Sequence, residues 1–332
     1  MTDVAQDRAR RDGALLVTGA AGFIGARFVA TRAAGRPLIS VDQRSHFDDR
    51  PEHHGLDFGT IVDRDELPGW LAETRPALAG ILHLGACTDT TELDVAYLTR
   101  VNLEYSQVLW RHATAQRIPF VYASSAAVCG DGALGYDDAD ALTPRFKPLN
   151  PYGDSKLQFD VWALGEEQRN QTPPAWSGFR FFNVYGPGER HKGKMASVVV
   201  HAFDQIRSHG EVTLFRSHRP GIADGEQKRD FVYVDDVVDV LDFALAQPLR
   251  RGILNLGTGS ARTFLDLVRA TFKATGEREQ IRFVDTPEAI RERYQYFTEA
   301  RVERLRAAGW TRDFTRLEDG VARYVAWLRE RC

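Results

Sequence analysis

Short apolar runs alternate with longer amphipathic stretches along the first half of the chain. Residues 14–17, 37–41, 80–84 and 119–122 are largely apolar and read as strands buried on both faces. Between them, residues 23–34 and about 94–116 carry helical spacing. Strands separated by helices predict a parallel sheet with helices on both faces. Another helix follows Pro151 and runs to about Arg169, ahead of the Pro173-Pro174 pair, since X-Pro disfavours helical geometry. Residues 178–182 read as a strand. Beyond Val184 the loops are richer in Gly, His, Lys and Arg, and residues 216–229 lack any period, as a functional loop or hairpin would. Helices are expected at 237–245 and 264–272. Thr315-Arg-Leu-Glu318 has the form of a capping box opening a last helix that runs to the C-terminus. The chain has no fixed-period repeat and no low-complexity tract.

Composition narrows the class without naming a chemistry. The 332 residues suit two domains at about 150 residues each. Lys and Arg number 43 against 46 Asp and Glu, a net −3, which leaves no basic footprint for nucleic acid or an anionic membrane. The chain has no apolar run long enough for a membrane span, and its first dozen residues are polar, unlike a secretory leader. Cys87, Cys129 and Cys332 are odd in number and lack metal-ligand spacing, which fits a reducing, cytoplasmic setting and no metal.

The first chemistry appears directly after the first strand, in Thr18-Gly19-Ala20-Ala21-Gly22-Phe23-Ile24-Gly25. Without a Cβ, Gly19 and Gly22 let the backbone turn tightly and approach a pyrophosphate, and Gly25 lets the helix pack against the sheet. The helix N-terminus offers N–H groups and a positive dipole end to phosphate. Asp42 ends the next strand, 17 residues beyond Gly25, near the roughly 20 expected of a ribose-binding carboxylate. Asp42 suits a free 2′-hydroxyl and Arg44 a 2′-phosphate, so NAD and NADP both stay open on these residues.

The second chemistry is Tyr152-x-x-x-Lys156. On a helix these two side chains share a face. An ammonium beside a phenol is expected to lower the phenol's pKa from about 10 toward neutrality, so that the phenolate takes a hydroxyl proton while hydride leaves the same carbon. Ser125 sits at the C-terminal end of a strand, where ligands bind in open α/β sheets, and its hydroxyl can hold the reacting oxygen.

Taken in order, these residues resemble the extended short-chain dehydrogenase/reductase family, as do Arg180-Phe-Phe-Asn183-Val-Tyr185-Gly-Pro187, Arg229-Asp230-Phe-Val-Tyr233-Val-Asp-Asp236 and Asn255-Leu-Gly257-Thr-Gly259. The resemblance implies an α/β fold: a Rossmann-type doubly wound parallel sheet with a smaller mixed α/β C-terminal substrate domain. The nucleotide-binding domain would comprise 13–183 plus about 229–257, and the substrate domain about 184–228 plus 258–332, with 1–12 a polar N-terminal arm. Members are nucleotide-sugar epimerases, dehydratases and reductases. Ser125 is followed by Ala126-Ala127-Val128-Cys129, with no carboxylate to protonate a leaving hydroxyl, which argues against dehydration. Gly85-Ala-Cys87-Thr-Asp-Thr-Thr91-Glu92, His191-Lys192-Gly193-Lys194-Met195-Ala-Ser197 and Arg293-Tyr294-Gln295-x-Phe297-Thr298 resemble the family's ADP-glycero-manno-heptose 6-epimerase branch. Thr88 and Lys194 stand where that branch often has Ser, and Val101 where it often has Asn.

That likeness implies inversion at C6″ of ADP-D-glycero-D-manno-heptose, in lipopolysaccharide precursor synthesis. The C–H there is not acidic, so transient oxidation and reduction by a bound NADP replaces direct deprotonation. Tyr152 and Lys192 would serve as acid–base groups on opposite faces, with Lys156 and Ser125 in support. Cofactor contacts implied are Gly19, Gly22, Phe23, Ile24 and Gly25; Asp42, Gln43 and Arg44; Leu84, Gly85, Ala86 and Cys87; Val101 and Asn102; and Lys156, Val184 and Lys192. Substrate contacts implied are Thr88, Asn183, Lys194, His201, Phe215, Arg216, Ser217, His218, Arg229 and Tyr294. A homo-oligomer, with a pentamer as one form, is implied as well. A UDP-sugar 4-epimerase and a non-catalytic dinucleotide sensor are the alternative readings.

Overall fold

The computed structural model describes residues 13–247, 251–291 and 294–331. The expected polar arm, Arg293 and Cys332 lie outside the described residues. The chain divides into two compact units.

The first unit takes residues 1–128, 138–180 and 238–254. Its strands are β1 (Ala14–Thr18), β2 (Leu38–Asp42), β3 (Thr60–Asp63), β4 (Leu78–His83), β5 (Phe120–Ser125), β6 (Trp176–Phe181) and β11 (Gly252–Leu256). They form one sheet in the order β11-β6-β5-β4-β1-β2-β3. Every pair whose register is defined runs parallel: β1 with β2 and β4, β2 with β3, β4 with β5. The order reverses direction at β1, where an open α/β sheet leaves a crevice at its strand ends. Helices α1 (Phe23–Arg32), α2 (Leu67–Thr74) and α4 (Pro151–Gln168) join these strands, together with α3, a continuous helical run over 95–115. Leu16, Ile81, Leu109 and Phe120 are fully sealed in this unit's core. Trp110 meets Phe120, Phe159, Trp162 and Trp176 edge-on, the favoured aromatic geometry.

The second unit takes 129–137, 181–237 and 255–332. It holds β7 (Asn183–Tyr185), α5 (Val198–His209), β8 (Val212–Phe215), β9 (Lys228–Arg229), β10 (Phe231–Tyr233), β12 (Arg262–Thr263), α7 (Phe264–Thr275), β13 (Ile281–Val284) and α8 (Leu317–Arg329). Helix α6 (Val234–Ala246) carries the boundary between the units within its length. Val199, Phe203, Leu267, Val321 and Leu328 from α5, α7 and α8 close the core of the second unit.

Two local expectations change. Strand β3, α2 and α5 go unassigned in the sequence reading, although α5 buries Val199, Ala202, Phe203 and Ile206 at helical spacing. The capping box lies elsewhere than expected: Thr315 gives its N–H and hydroxyl to Asp236 (2.7 and 2.9 Å), and α8 begins two residues later with no side-chain cap. The reciprocal box is at α7, where Thr263 and Asp266 cap each other. Of the aperiodic segment 216–229, residues 216–227 form no strand or helix, and 228–229 form β9.

Candidate active site

Four polar side chains of the first unit end four strands: Thr18 on β1, Asp42 on β2, His83 on β4 and Ser125 on β5. All four lie at the edge where open α/β sheets bind ligands.

The glycine turn has the geometry of a phosphate cradle. Gly19 adopts φ 67°, and a Cβ there would lie 2.7 Å from the Gly85 nitrogen. A Cβ on Gly25 would collide with the Gly19 carbonyl oxygen. No side chain caps α1 at Gly22, so the helix start is left to what approaches the turn. Phe23, Ile24 and Gly25 follow in its first turn. Asp42 anchors the turn from below: its carboxylate accepts from the Ala21 nitrogen (3.2 Å), the Gln43 nitrogen (2.9 Å) and His46 Nδ1 (2.9 Å). Arg44 is exposed beside it. Arg50, which sequence reasoning did not single out, donates to the Ala21 carbonyl of the same turn. Burial lowers its guanidinium pKa, and the Asp42 charge opposes that shift.

A continuous hydrogen-bond chain joins this cradle to helix α4. Thr18 Oγ1 accepts from the Gly85 nitrogen and lies 2.7 Å from His83 Nδ1. His83 Nε2 lies 2.8 Å from Ser106 Oγ, and Ser106 donates its one hydroxyl proton to the Asn102 carbonyl at 2.6 Å. Ser106 must therefore accept from His83, which assigns the ring proton to Nε2 and leaves Nδ1 to accept from Thr18. Burial pushes His83 down to about 3, with the Lys156 charge adding to the shift, so the ring is neutral. Asn102 sits with Val101 in a π-helical segment (Thr99–Glu104), a helix irregularity frequent at functional sites. Its side-chain amide exchanges bonds with the Cys87 backbone (2.8 and 3.1 Å) and donates to Ser155 Oγ (2.9 Å). Ser155 donates to the Tyr152 carbonyl (2.7 Å). Leu84, Gly85, Ala86 and Cys87 thus line one half-buried loop, with Thr88 exposed beyond it. Burial pushes the Cys87 thiol up.

Helix α4 begins at Pro151, and Asn150 caps it through the Gly153 nitrogen (2.7 Å). One turn apart on its inner side, Tyr152 and Lys156 are 8% and 7% exposed, too little for a solvated surface pair. Burial pushes the Tyr152 phenol up, and its bond to the Ser125 hydroxyl opposes that shift without cancelling it. This differs from the expected lowering by Lys156. The Lys156 Nζ donates instead to the Ala123 carbonyl (3.0 Å), and burial pushes the amine down to about 8, with Asp160 opposing. Asp160, missed in the sequence, and Arg180, quoted there only as part of a motif, are fully buried and form an ion pair at 3.2 Å behind it.

The second unit carries Asn183, Val184, Lys192, Lys194, His201, Phe215, Arg216, Ser217, His218, Arg229 and Tyr294. Arg229 is 8% exposed, and its guanidinium lies over the Phe264 and Tyr294 rings at 5.4 and 5.5 Å. Burial lowers its pKa, opposed by Tyr294 and Tyr136. No carboxylate among the described residues forms an ion pair with it, so its charge is available to an anion. Phe215 ends β8 and is exposed. Beyond it, Arg216 lies 3.9 Å from Asp224, and Ser217 donates its N–H to that same carboxylate (2.8 Å). His218 Nε2 accepts from the Thr286 nitrogen (3.2 Å). Lys192 and Lys194 lie on a 3-10 turn, Arg190–Met195, with Lys194 exposed and Lys192 partly covered. Burial lowers the Lys192 pKa and Glu189 opposes it. Asn183 is exposed, Val184 partly covered, and His201 is half-buried on α5.

Known proteins resemble this chain in family pattern, in sequence and in fold. The pattern of the NAD dependent epimerase/dehydratase family matches residues 15–257. ADP-L-glycero-D-manno-heptose-6-epimerase of Fusobacterium nucleatum is 42% identical over 323 residues, covering 94% of this chain and 96% of its own. Among solved structures, ADP-L-glycero-D-manno-heptose-6-epimerase of Helicobacter pylori superposes with a TM-score of 0.78 at 26% identity, over 97% of this chain and 98% of that one. MoeE5 in complex with UDP-glucuronic acid and NAD superposes with a TM-score of 0.75 at 29% identity, over 96% and 100%. Among the described residues, no helix is long and apolar enough to cross a membrane. With its family pattern matched over most of its length and a relative of 42% identity spanning nearly all of it, the chain belongs to the NAD dependent epimerase/dehydratase family.

Proposed function

We propose that this enzyme inverts C6″ of ADP-D-glycero-D-manno-heptose, using a bound nicotinamide dinucleotide, and that the dinucleotide is NADP. The observation that carries the reading is the near full-length, 42% likeness to a protein named for that epimerisation.

The residues fit such a cofactor: the glycine turn leaves room where a Cβ would intrude, and Asp42 closes the end of β2 beneath it. When bound, the cofactor supplies removal and return of hydride at the stereocentre. The chain's own groups handle the proton and the charge. Tyr152, its phenol pushed up by burial and hydrogen-bonded to Ser125, is the acid–base group for the hydroxyl proton on one face. Lys156, charged below about pH 8, adds positive charge to the pocket of the same helix face. Lys192 serves the other orientation of the substrate. Arg229, buried and without an ion-pair partner among the described residues, holds substrate phosphate, with Arg216 and His218 on the neighbouring loop and Tyr294 against the guanidinium. The exposed Arg44 side chain beside Asp42 can meet a 2′-phosphate and supports NADP.

The test is to incubate the enzyme with ADP-D-glycero-D-manno-heptose and follow C6″ configuration by NMR. Interconversion without added cofactor supports the reading. Turnover of UDP-hexoses alone would replace it with 4-epimerisation. Mass spectrometry of the nucleotide released on denaturation decides between NADP and NAD.

A further inference from the structure

Glu189 is the one carboxylate in the 186–197 loop, and its side chain is fully buried. Its oxygens are engaged from both ends of that loop. Oε1 accepts from the Gly186 nitrogen (3.2 Å) at the start and from Ser197 Oγ (2.6 Å) at the end. Oε2 accepts from the Ser197 nitrogen (2.8 Å) and lies 4.0 Å from Lys192 Nζ. The Lys192 nitrogen in turn donates to the Glu189 carbonyl (3.0 Å), which closes the turn on itself. Arg190 faces away and pairs with Asp204 at 2.9 Å through both nitrogens. Tyr324 of α8 is the titratable group that faces Glu189 from the neighbouring helix, and burial followed by the Glu189 charge raises its pKa.

A buried carboxylate is costly unless it is paired and hydrogen-bonded. Three donors stabilise this one, and a surface loop would need none of them. The lysine opposite has the complementary difficulty, since a half-covered ammonium loses hydration.

We propose that Glu189 is a positioning residue for Lys192: it ties the two ends of the 186–197 loop together and holds the Lys192 amine as an ammonium at the loop's turn. The proposal deepens the reading of Lys192 as the second acid–base group and rests on it for its catalytic consequence. Glu189 touches no reacting atom in this scheme and acts only through Lys192.

The experiment measures the pH dependence of Lys192 acylation by a small anhydride in the full-length protein, read by peptide mass spectrometry. Glu189→Gln keeps the volume and removes the charge, and the Lys192 midpoint is expected to fall by about one pH unit. Glu189→Asp keeps the charge and is expected to restore most of that shift. The pH limb of kcat that belongs to Lys192 should move with the midpoint. A role limited to stability would lower the melting temperature and leave the midpoint in place, and that result overturns the proposal. Ser197→Ala keeps every charge and removes the 2.6 Å bond, and is expected to speed Lys192 acylation at all pH values by freeing the loop. Unchanged rates would overturn the tie. Lys192→Met tests the underlying reading separately: normal turnover removes Lys192 from the chemistry, whereas the acylation midpoint still decides what Glu189 does.

Discussion

Asp160 follows Lys156 by one turn of α4, and its fully buried carboxylate is the negative charge that opposes the loss of the Lys156 proton. The same carboxylate accepts from Tyr122 Oη (3.0 Å), Ser124 Oγ (2.9 Å) and Arg180 Nε (3.2 Å). A group four residues beyond the Tyr152-x-x-x-Lys156 motif therefore bears on the charge state of one within it.

Asp160→Asn is expected to have two separable effects. The Arg180 guanidinium loses its buried partner, which costs roughly 3–5 kcal/mol of stability, read as a lower thermal midpoint. Lys156 also loses its counter-charge, so the alkaline limb of kcat should move to lower pH. An alkaline limb that stays in place would detach Asp160 from the chemistry.

The Lys156 amine gives activity and stability opposite slopes. Its folded value, about 8, lies below its ordinary 10.5, so the folded state binds its proton less tightly than the unfolded chain. The cost of burying that charge is complete below pH 8 and is relieved between about 8 and 10.5, so this group makes stability rise with pH there. The charged form falls away over the same range, and activity should decline. Denaturant unfolding and kcat, each measured from pH 7 to 10, give the two slopes.

Tyr152→Phe removes the phenol and keeps the ring. Turnover should fall by about a hundred- to ten-thousand-fold with bound cofactor retained. Ser125→Ala should cost less, and should shift the Tyr152 limb of the pH profile upward because the bond that favours the phenolate is gone. Nucleotide content after gel filtration separates a chemical loss from a binding loss.

Gly25→Ala places a methyl group against the Gly19 carbonyl oxygen. Relief of that overlap should cost about 1–3 kcal/mol and widen the glycine turn. Cofactor should be lost on dialysis from this variant and retained by the parent.

His83→Phe breaks the chain between Thr18 and Ser106 and leaves buried hydroxyls short of a partner, at a cost of roughly 1–3 kcal/mol. In the parent, ¹⁵N spectra of the ring should report a neutral imidazole protonated at Nε2, unchanged from pH 5 to 8 because its pKa lies near 3. A ring that titrates in that range contradicts the assignment.

The features readable in the sequence are those whose partners are close along the chain. Gly19, Gly22 and Gly25 belong to one turn, and Tyr152 and Lys156 to one turn of helix, so spacing alone places them together. His83 is a single polar residue at the end of an apolar run, and its partner Thr18 lies 65 residues away. Nothing local separates such a histidine from an ordinary core residue. Glu189 follows a Gly-Pro-Gly turn in which carboxylates are usually solvated. Arg180 opens a motif in the sequence, but nothing local marks its pairing with Asp160, 20 residues away. Thr315 had the letters of a capping box, but Asp236, 79 residues away, offers better acceptors than its own helix. The expected effect of Lys156 on the Tyr152 phenol failed for a related reason: the Ala123 carbonyl takes the ammonium, and only the folded sheet brings it there.

The order of strands also sets a schedule for the newly made chain. Strand β6, which carries Arg180, is next to last in the sheet, and its outer neighbour β11 is not made until residues 252–256. At roughly 5–20 residues per second, the ribosome leaves β6 without that neighbour for several seconds. Throughout that interval an apolar strand edge is open to pairing with other chains. The sheet can therefore close on that side only once the last strand of the first unit has been made.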